Sequence, residues 1–211
     1  SFEAAGGAIF SEDWIEFDTE EPDEGDYYIS VDLAGFADIE KATTSKQKKL
    51  DTTSISVVKA GVDGWWVDNI IYGRWDVKKT ADKIFQAVRD YQPIAIGVEK
   101  GALKNAVYPY LTDRMKQEQF FFRVEELTHG NKRKTDRIIW ALQGRFEHGQ
   151  ITLNEGEWNT EFLDQLFQFP NHLVHDDLID SLAYIDQLAK ISYAYDYEED
   201  EYEFMDAIAG Y

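Results

Sequence analysis

The sequence predicts an α/β protein, a mixed sheet flanked by helices. Three short strand-like segments follow one another between Tyr27 and Gly73, with a Gly-bounded turn between the last two. The almost wholly apolar run PIAIGVE then stands between two helical patterns, and short strands and helices continue to Ile191. The order β-β-β-α-β-α-β followed by helices gives a three-strand antiparallel meander extended by parallel strands.

Each element has a local reason. YYISVDL, ISVVKAG and WWVDNIIYG are rich in β-branched and aromatic residues, and Gly61 to Gly64 joins the last two as a hairpin. Asp76 stands where an N-cap belongs, and VKKTADKIFQAVRDY puts Val77, Ile84, Phe85 and Val88 on one helical face. GALKNAVYPYLTDRMKQE predicts a helix that Pro109 interrupts, and QFFFRVEEL a strand. After the basic loop THGNKRKTD come a helix RIIWALQGRFEHG ending at Gly149, a short strand ITL, a helix around NTEFLDQLFQF and a last helix near DDLIDSLAYIDQLAKI. There is no internal repeat.

The chain has 211 residues, 44% of them apolar, enough for one sizeable core. It has no Cys, which excludes disulfides, zinc-thiolate sites and thiol nucleophiles. No apolar stretch is long enough for a membrane span and the first residues lack a basic signal-peptide region, so a soluble intracellular protein is expected, with no membrane partner. The net charge of −20 argues at first against nucleic acid. Its distribution changes the argument. Residues 1–26 hold ten acids and 193–211 seven, both without Lys or Arg, leaving 24 acids against 21 bases in 27–192. The expected organisation is an acidic linker or strap (1–26), a near-neutral domain (27–192) and an acidic, aromatic tail (193–211), mobile or docked elsewhere.

Several acids fall where apolar patterning expects none. Asp32 ends the first strand, Glu99 ends the central apolar strand, and Asp176, Asp177 and Asp180 open the last helix. A carboxylate beside a core is costly unless paired, hydrogen-bonded or metal-bound. If the first and fourth strands are parallel neighbours, Asp32 and Glu99 lie side by side, and a helix beginning near Asp176 faces both. Oxygen-only ligands select hard ions such as Mg2+ or Mn2+. Taken singly, Asp32 also suits the opening of a turn, Asp176 an N-cap, and Asp177 the first turn of a helix. Asp180 suits an ion pair or a place behind the ligands.

The ordered set VDLAG, GVEKGALKNAVYPYL, KRKTDRIIWALQGRFEHGQITL and HDDLIDSLAY resembles the nuclease domain of the large terminase subunit of tailed phages, an RNase H-like fold. The resemblance extends from about Ile9 to Ala189, since AIFSEDWIEF is similar to the stretch joining terminase ATPase and nuclease. The ATPase P-loop, GxxxxGK[ST], is absent from this sequence, which therefore resembles an isolated C-terminal nuclease domain. The resemblance implies that Asp32, Glu99 and Asp177 are catalytic metal ligands with Asp176 a close companion, Glu99 standing where many relatives have Asp. It further implies two Mg2+ or Mn2+ ions about 4 Å apart that drive phosphodiester hydrolysis. His175 is placed to orient a carboxylate or a water, or to serve the helix entrance structurally.

Two basic segments suit phosphate contact without base reading: Lys41, Lys46, Lys48 and Lys49 in KATTSKQKK, and Lys132, Arg133, Lys134 and Arg137 in NKRKTDR. Lys134 stands out in the terminase-like pattern, with His129 across the loop, while Lys100 either reaches phosphate or neutralises the acids. Trp65, Trp66, Tyr72 and Trp75 are expected to pack on the sheet rather than stack on bases. The expected function is a metal-dependent endonuclease that cuts double-stranded concatemeric viral DNA during packaging. By resemblance it works in the host cytoplasm beside the terminase ATPase, the small terminase subunit and the portal. A Holliday-junction-resolvase-like nuclease and a non-catalytic module docking on portal or capsid are the alternatives.

Overall fold

Alternate residues of the central strands face two different helix layers in the computed structural model, which describes residues 8–35 and 52–209, without the side chains of Ala102, Leu103 and 194–209. β1 (Asp26–Asp32), β2 (Thr53–Gly61) and β3 (Gly64–Gly73) form the antiparallel meander. β4 (Ala95–Glu99) pairs parallel with β1, β5 (Val124–Leu127) parallel with β4, and β6 (Ile151–Leu153) parallel with β3. The six-stranded order is β5-β4-β1-β2-β3-β6. Mixed pairing and helices on both faces agree with the α/β class the sequence predicts.

One face of the sheet carries Ile29, Val31, Ile55, Val57, Ile96 and Val98 against α1 (Val77–Tyr91) and α2 (Ala102–Glu118). In α1, the Asp76 carboxylate accepts from the Lys79 N–H at 2.7 Å, and Ala81, Ile84, Phe85 and Val88 form the buried stripe. Pro109 does not interrupt α2. Pro109 and Asn105, whose carbonyl the ring deprives of a donor, both lie on the exposed side, so the missing bond leaves no buried polar group. The other face, with Tyr28, Val58, Val67 and Leu127, is covered by α3 (Lys134–Glu147), α4 (Asn159–Gln168) and α5 (Asp177–Ala209).

The sequence and the structure part at three boundaries. β5 is four residues long because Phe120 and Phe122 leave the ladder to pack against Phe85, with ring centroids 5.8 and 6.1 Å away. α3 starts at Lys134, one turn earlier than the pattern predicts. α5 runs on to Ala209 through the acidic segment instead of ending near Ile191.

The acidic N-terminal stretch lies along the β6 edge. Phe10 is buried beside Phe146 and Phe169, the Leu153 N–H donates to the Glu16 carbonyl, and the Asp18 N–H donates to the Leu153 carbonyl, each at 2.9 Å. This covers an otherwise open strand edge. At the β2–β3 hairpin, Gly64 has φ +132°, and a Cβ there would meet the Gln150 carbonyl oxygen at 2.2 Å, so only Gly fits.

Candidate active site

Asp32 and Glu99 are brought together by strand register. Val31 pairs with Val98 across β1 and β4, so the next residues, Asp32 and Glu99, end adjacent parallel strands. By the alternation of strand side chains, both face the α5 layer rather than α1 and α2. Asp32 is buried, and the Glu99 side chain is one-quarter exposed.

The first turns of α5 cross this edge on a layer of hydroxyls. Ser181 donates to the Leu178 carbonyl at 3.0 Å and accepts from Ser54 at 2.8 Å and Ser56 at 2.6 Å. Ser30 donates to the Ser181 carbonyl. All four serines are fully buried. Their small side chains let the helix sit close to β1 and β2, and their hydrogen bonds fix its position. Asp177 and Asp180, on either side of Leu178 and Ile179, are thereby held over the acid edge, while Asp176 immediately precedes the helix.

The chain supplies its own cations. Lys134 Nζ lies 2.7 Å from Asp176 Oδ1 and 3.2 Å from Asp180 Oδ2. Arg137 pairs with the opposite oxygen of Asp180, and its guanidinium lies 4.0 Å from the centroid of the Tyr184 ring. Arg137 Nε and Nη1 are buried without a hydrogen-bond partner among the described residues, and stacking on Tyr184 is their main compensation. A Lys at a helix N-terminus opposes the helix dipole, and at α3 the two aspartates offset that cost.

The electrostatics follow from crowding. Burial raises the pKa of Asp32 well above the ordinary value, and the charges of Asp180, Asp177 and Glu99 raise it further, with Lys134 opposing. Burial also raises Asp177 to about 6, with Lys134 and His175 pulling down and Asp176 and Asp180 pushing up. For Lys134, burial disfavours the ammonium, but Asp180, the hydrogen bond to Asp176, and Asp32 outweigh it and raise the pKa.

Of the residues singled out from sequence, Asp32, Glu99, Asp176, Asp177, Asp180, Lys134 and Arg137 share this edge. His175 is exposed, 3.8 Å from Asp177. Lys134 and Arg137 are turned inward onto the acids rather than standing in an open loop, whereas Lys100, Lys132 and Arg133 are exposed. The Lys132 ammonium lies 4.3 Å from the Trp140 ring centroid. Lys41, Lys46, Lys48 and Lys49 lie outside the described residues. Trp65 and Trp66 are buried, as packing residues should be, while Tyr72 is 37% exposed.

Two contributors escape pattern reading. Tyr184 and Ser181 look like ordinary members of an amphipathic helix. The available signal is spacing, since Asp177, Asp180, Ser181 and Tyr184 recur at three- and four-residue intervals on one face.

A hard divalent cation suits this donor set in chemistry. The donors are carboxylate oxygens, and around buried Asp32 the neighbouring acids and the loss of water outweigh the one opposing charge, Lys134. Among the described residues, no three His, Asp or Glu side chains gather around a single point. Asp176 and Asp180 are engaged by Lys134, and Glu99 by His129.

Strand order and helix layers make the protein an RNase H-like α/β domain. Residues 35–187 match the terminase RNaseH-like domain, and the chain belongs to that family. Among solved structures, it is similar to the large terminase nuclease of thermophilic phage G20c with bound magnesium, at 16% identity and TM-score 0.56 over 85% of this chain and 96% of that one. It is also similar to the human cytomegalovirus terminase nuclease domain, manganese-soaked and inhibitor-bound, at 14% identity and TM-score 0.56 over 83% and 92%. The large terminase of a second thermophilic bacteriophage matches at 10% identity and TM-score 0.54, over 84% of this chain and 42% of that one. No curated protein matches the sequence.

Proposed function

We propose that this chain is a nuclease domain that cuts double-stranded concatemeric DNA during packaging of a viral genome, with little preference for sequence. The observation that carries the reading is the shared edge formed by Asp32, Glu99 and the Asp176–Asp177 pair in a chain of the terminase RNaseH-like family. Asp32, Glu99 and Asp177 would hold Mg2+ or Mn2+, with Asp176 beside them. Bound divalent ions supply the charge that activates a water and stabilises the leaving 3′ oxygen of a phosphodiester. Solved structures of similar nucleases with magnesium, zinc or cobalt bound, or soaked in manganese, support the use of a divalent ion.

The chain's own residues do the positioning. β1 and β4 fix the spacing of Asp32 and Glu99, and the serine layer fixes α5 and with it Asp177. Lys134 and Arg137 balance the acids when no other cation is present. Lys100, Arg133 and Lys132, the last over the Trp140 ring, are exposed and would touch phosphates without reading bases. A terminase ATPase, the portal and the small terminase subunit are the partners this role requires, and the host cytoplasm is its setting.

The test is supercoiled plasmid at low salt in EDTA, Mg2+ or Mn2+, with Asp32→Ala, Glu99→Ala and Asp177→Ala alongside. Nicking and linearisation only with metal, lost in each folded variant, is the expected result. Wild type inactive on plasmid and on branched DNA would favour a second reading, a non-catalytic docking module. The engagement of Asp176, Asp180 and Glu99 by the chain's own basic side chains is the observation on its side.

A further inference from the structure

His129 and Tyr184 link Glu99 to α5. His129 sits in the loop after β5, with its side chain 44% exposed, and its Nε2 meets Glu99 Oε1. Its other ring nitrogen, Nδ1, lies 3.1 Å from the Tyr184 hydroxyl. Tyr184 is buried at 1% exposure and held from above by the Arg137 guanidinium. The start of the same loop is fastened to α5, because the Thr128 N–H donates to Gln187 Oε1 at 3.0 Å.

We propose that Tyr184 and His129 are positioning residues that aim the Glu99 carboxylate, so that α5 sets the direction of Glu99 as well as presenting Asp177. The proposal rests on the nuclease reading for its purpose, though not for its geometry. A neutral imidazole carries one proton, and the partner of one nitrogen decides the role of the other. The Glu99 carboxylate can only accept, so in the neutral ring Nε2 carries the proton and donates to Glu99, Nδ1 is left as the acceptor, and the Tyr184 O–H donates to it. Only Oε1 is taken, and Oε2 is left for a cation.

Without Tyr184, a half-exposed ring on a loop is held only by the Glu99 carboxylate it is meant to aim, and its plane is no longer fixed from α5. Partners behind a ligand commonly change metal affinity or activity by about 10- to 100-fold when removed, by misorienting the ligand. Sequence spacing gives the same connection: Tyr184 is seven residues, two helical turns, beyond Asp177.

The test uses the full chain. In the metal-free protein, long-range 15N–1H spectra of 15N-histidine protein, with His129 assigned by loss of its signals in His129→Ala, should show the Nε2–H tautomer. Tyr184→Phe keeps the ring beneath Arg137 and removes only the donor, and it should shift the His129 Nδ1 resonance as that nitrogen loses its partner. Mn2+ titration should then show affinity reduced about tenfold in Tyr184→Phe and His129→Ala. His129→Gln, whose side-chain amide can still donate to Glu99, should recover most of it. An Nδ1–H tautomer in wild type, a His129 spectrum indifferent to Tyr184→Phe, or unchanged Mn2+ affinity in both variants would overturn the proposal. These readouts do not depend on DNA cleavage. A wild type that cuts nothing yet shows the tautomer and affinity effects would sink the nuclease reading alone.

Discussion

On one face of β1 and β2, Ile29, Val31, Ile55 and Val57 pack against α1 and α2. One residue along each strand, Ser30, Asp32, Ser54 and Ser56 face α5. The same backbone thus carries two surfaces with different physics. The first gains free energy from apolar burial alone and tolerates small adjustments in packing. The second forgoes much of that gain, burying a carboxylate beside hydroxyls whose hydrogen bonds specify where one helix sits. A sheet bounded by two helix layers can keep one for stability and use the other to hold acids in place.

The comparison breaks if the faces respond alike to substitution. The largest effect is expected on the apolar side. Phe85 is fully buried in α1 beside Phe120 and Phe122, and Phe85→Ala should destabilise the chain by about 3–5 kcal/mol in urea melts. Divalent-ion affinity of the fraction that remains folded should stay the same. Altered affinity would mean that the two layers are not separable.

Next is Asp32→Asn, isosteric and uncharged. It should reduce metal-dependent cleavage at least about 100-fold, the upper end of what loss of a mere supporting partner costs. Its melting temperature in EDTA at neutral pH should not fall, because it removes a buried carboxylate whose ionisation is opposed by its surroundings. An unfolded Asp32→Asn would assign Asp32 to structure.

The pH dependence sharpens the contrast. Asp177 titrates near 6 in the folded chain, against an ordinary value of 3.8. Its folded form therefore binds a proton more tightly than the unfolded chain does, so this group favours folding below about pH 4, and that contribution is lost as pH rises through 6. The shift corresponds to about 2 to 3 kcal/mol. Urea melts at pH 4.5 and 7.5 in EDTA should show Asp177→Asn gaining on wild type at the higher pH. Equal differences at both pH values would mean that Asp177 is not strained by its surroundings.

How much of this was legible in the sequence depends on the kind of signal. α1 is bounded as its cap and stripe predict, and the register of β1 and β4 follows from two apolar runs that each end in an acid. These are local patterns that tertiary packing only confirms. QFFFRVEEL misleads because its three phenylalanines suggest burial in a strand, whereas Phe120 and Phe122 pack on Phe85 without strand pairing and Phe121 is exposed. Lys134 and Arg137 read as loop cations suited to phosphate, yet in space they meet Asp176 and Asp180 more than 40 residues on. A pairing that distant leaves no local trace. The serine layer is invisible for the same reason: each serine is ordinary until α5 is laid across the strands.

That layer supplies the smallest prediction. Ser181 donates to the Leu178 carbonyl and accepts from both Ser54 and Ser56. Ser181→Ala leaves two buried donors without an acceptor and should cost about 1–3 kcal/mol. Removing all three hydroxyls together deletes the donors along with the acceptor, so the triple variant Ser54→Ala, Ser56→Ala, Ser181→Ala should be no less stable than Ser181→Ala alone. Its expected defect lies elsewhere. With methyl groups in place of three of the four hydroxyls, only the Ser30 bond to the Ser181 carbonyl remains, and the helix loses most of the bonds that specify its place over Asp32. Divalent-ion affinity should therefore fall in the triple variant while its urea midpoint recovers. Additive losses of stability would instead make the serines ordinary packing, and the two faces of the sheet would differ only in composition.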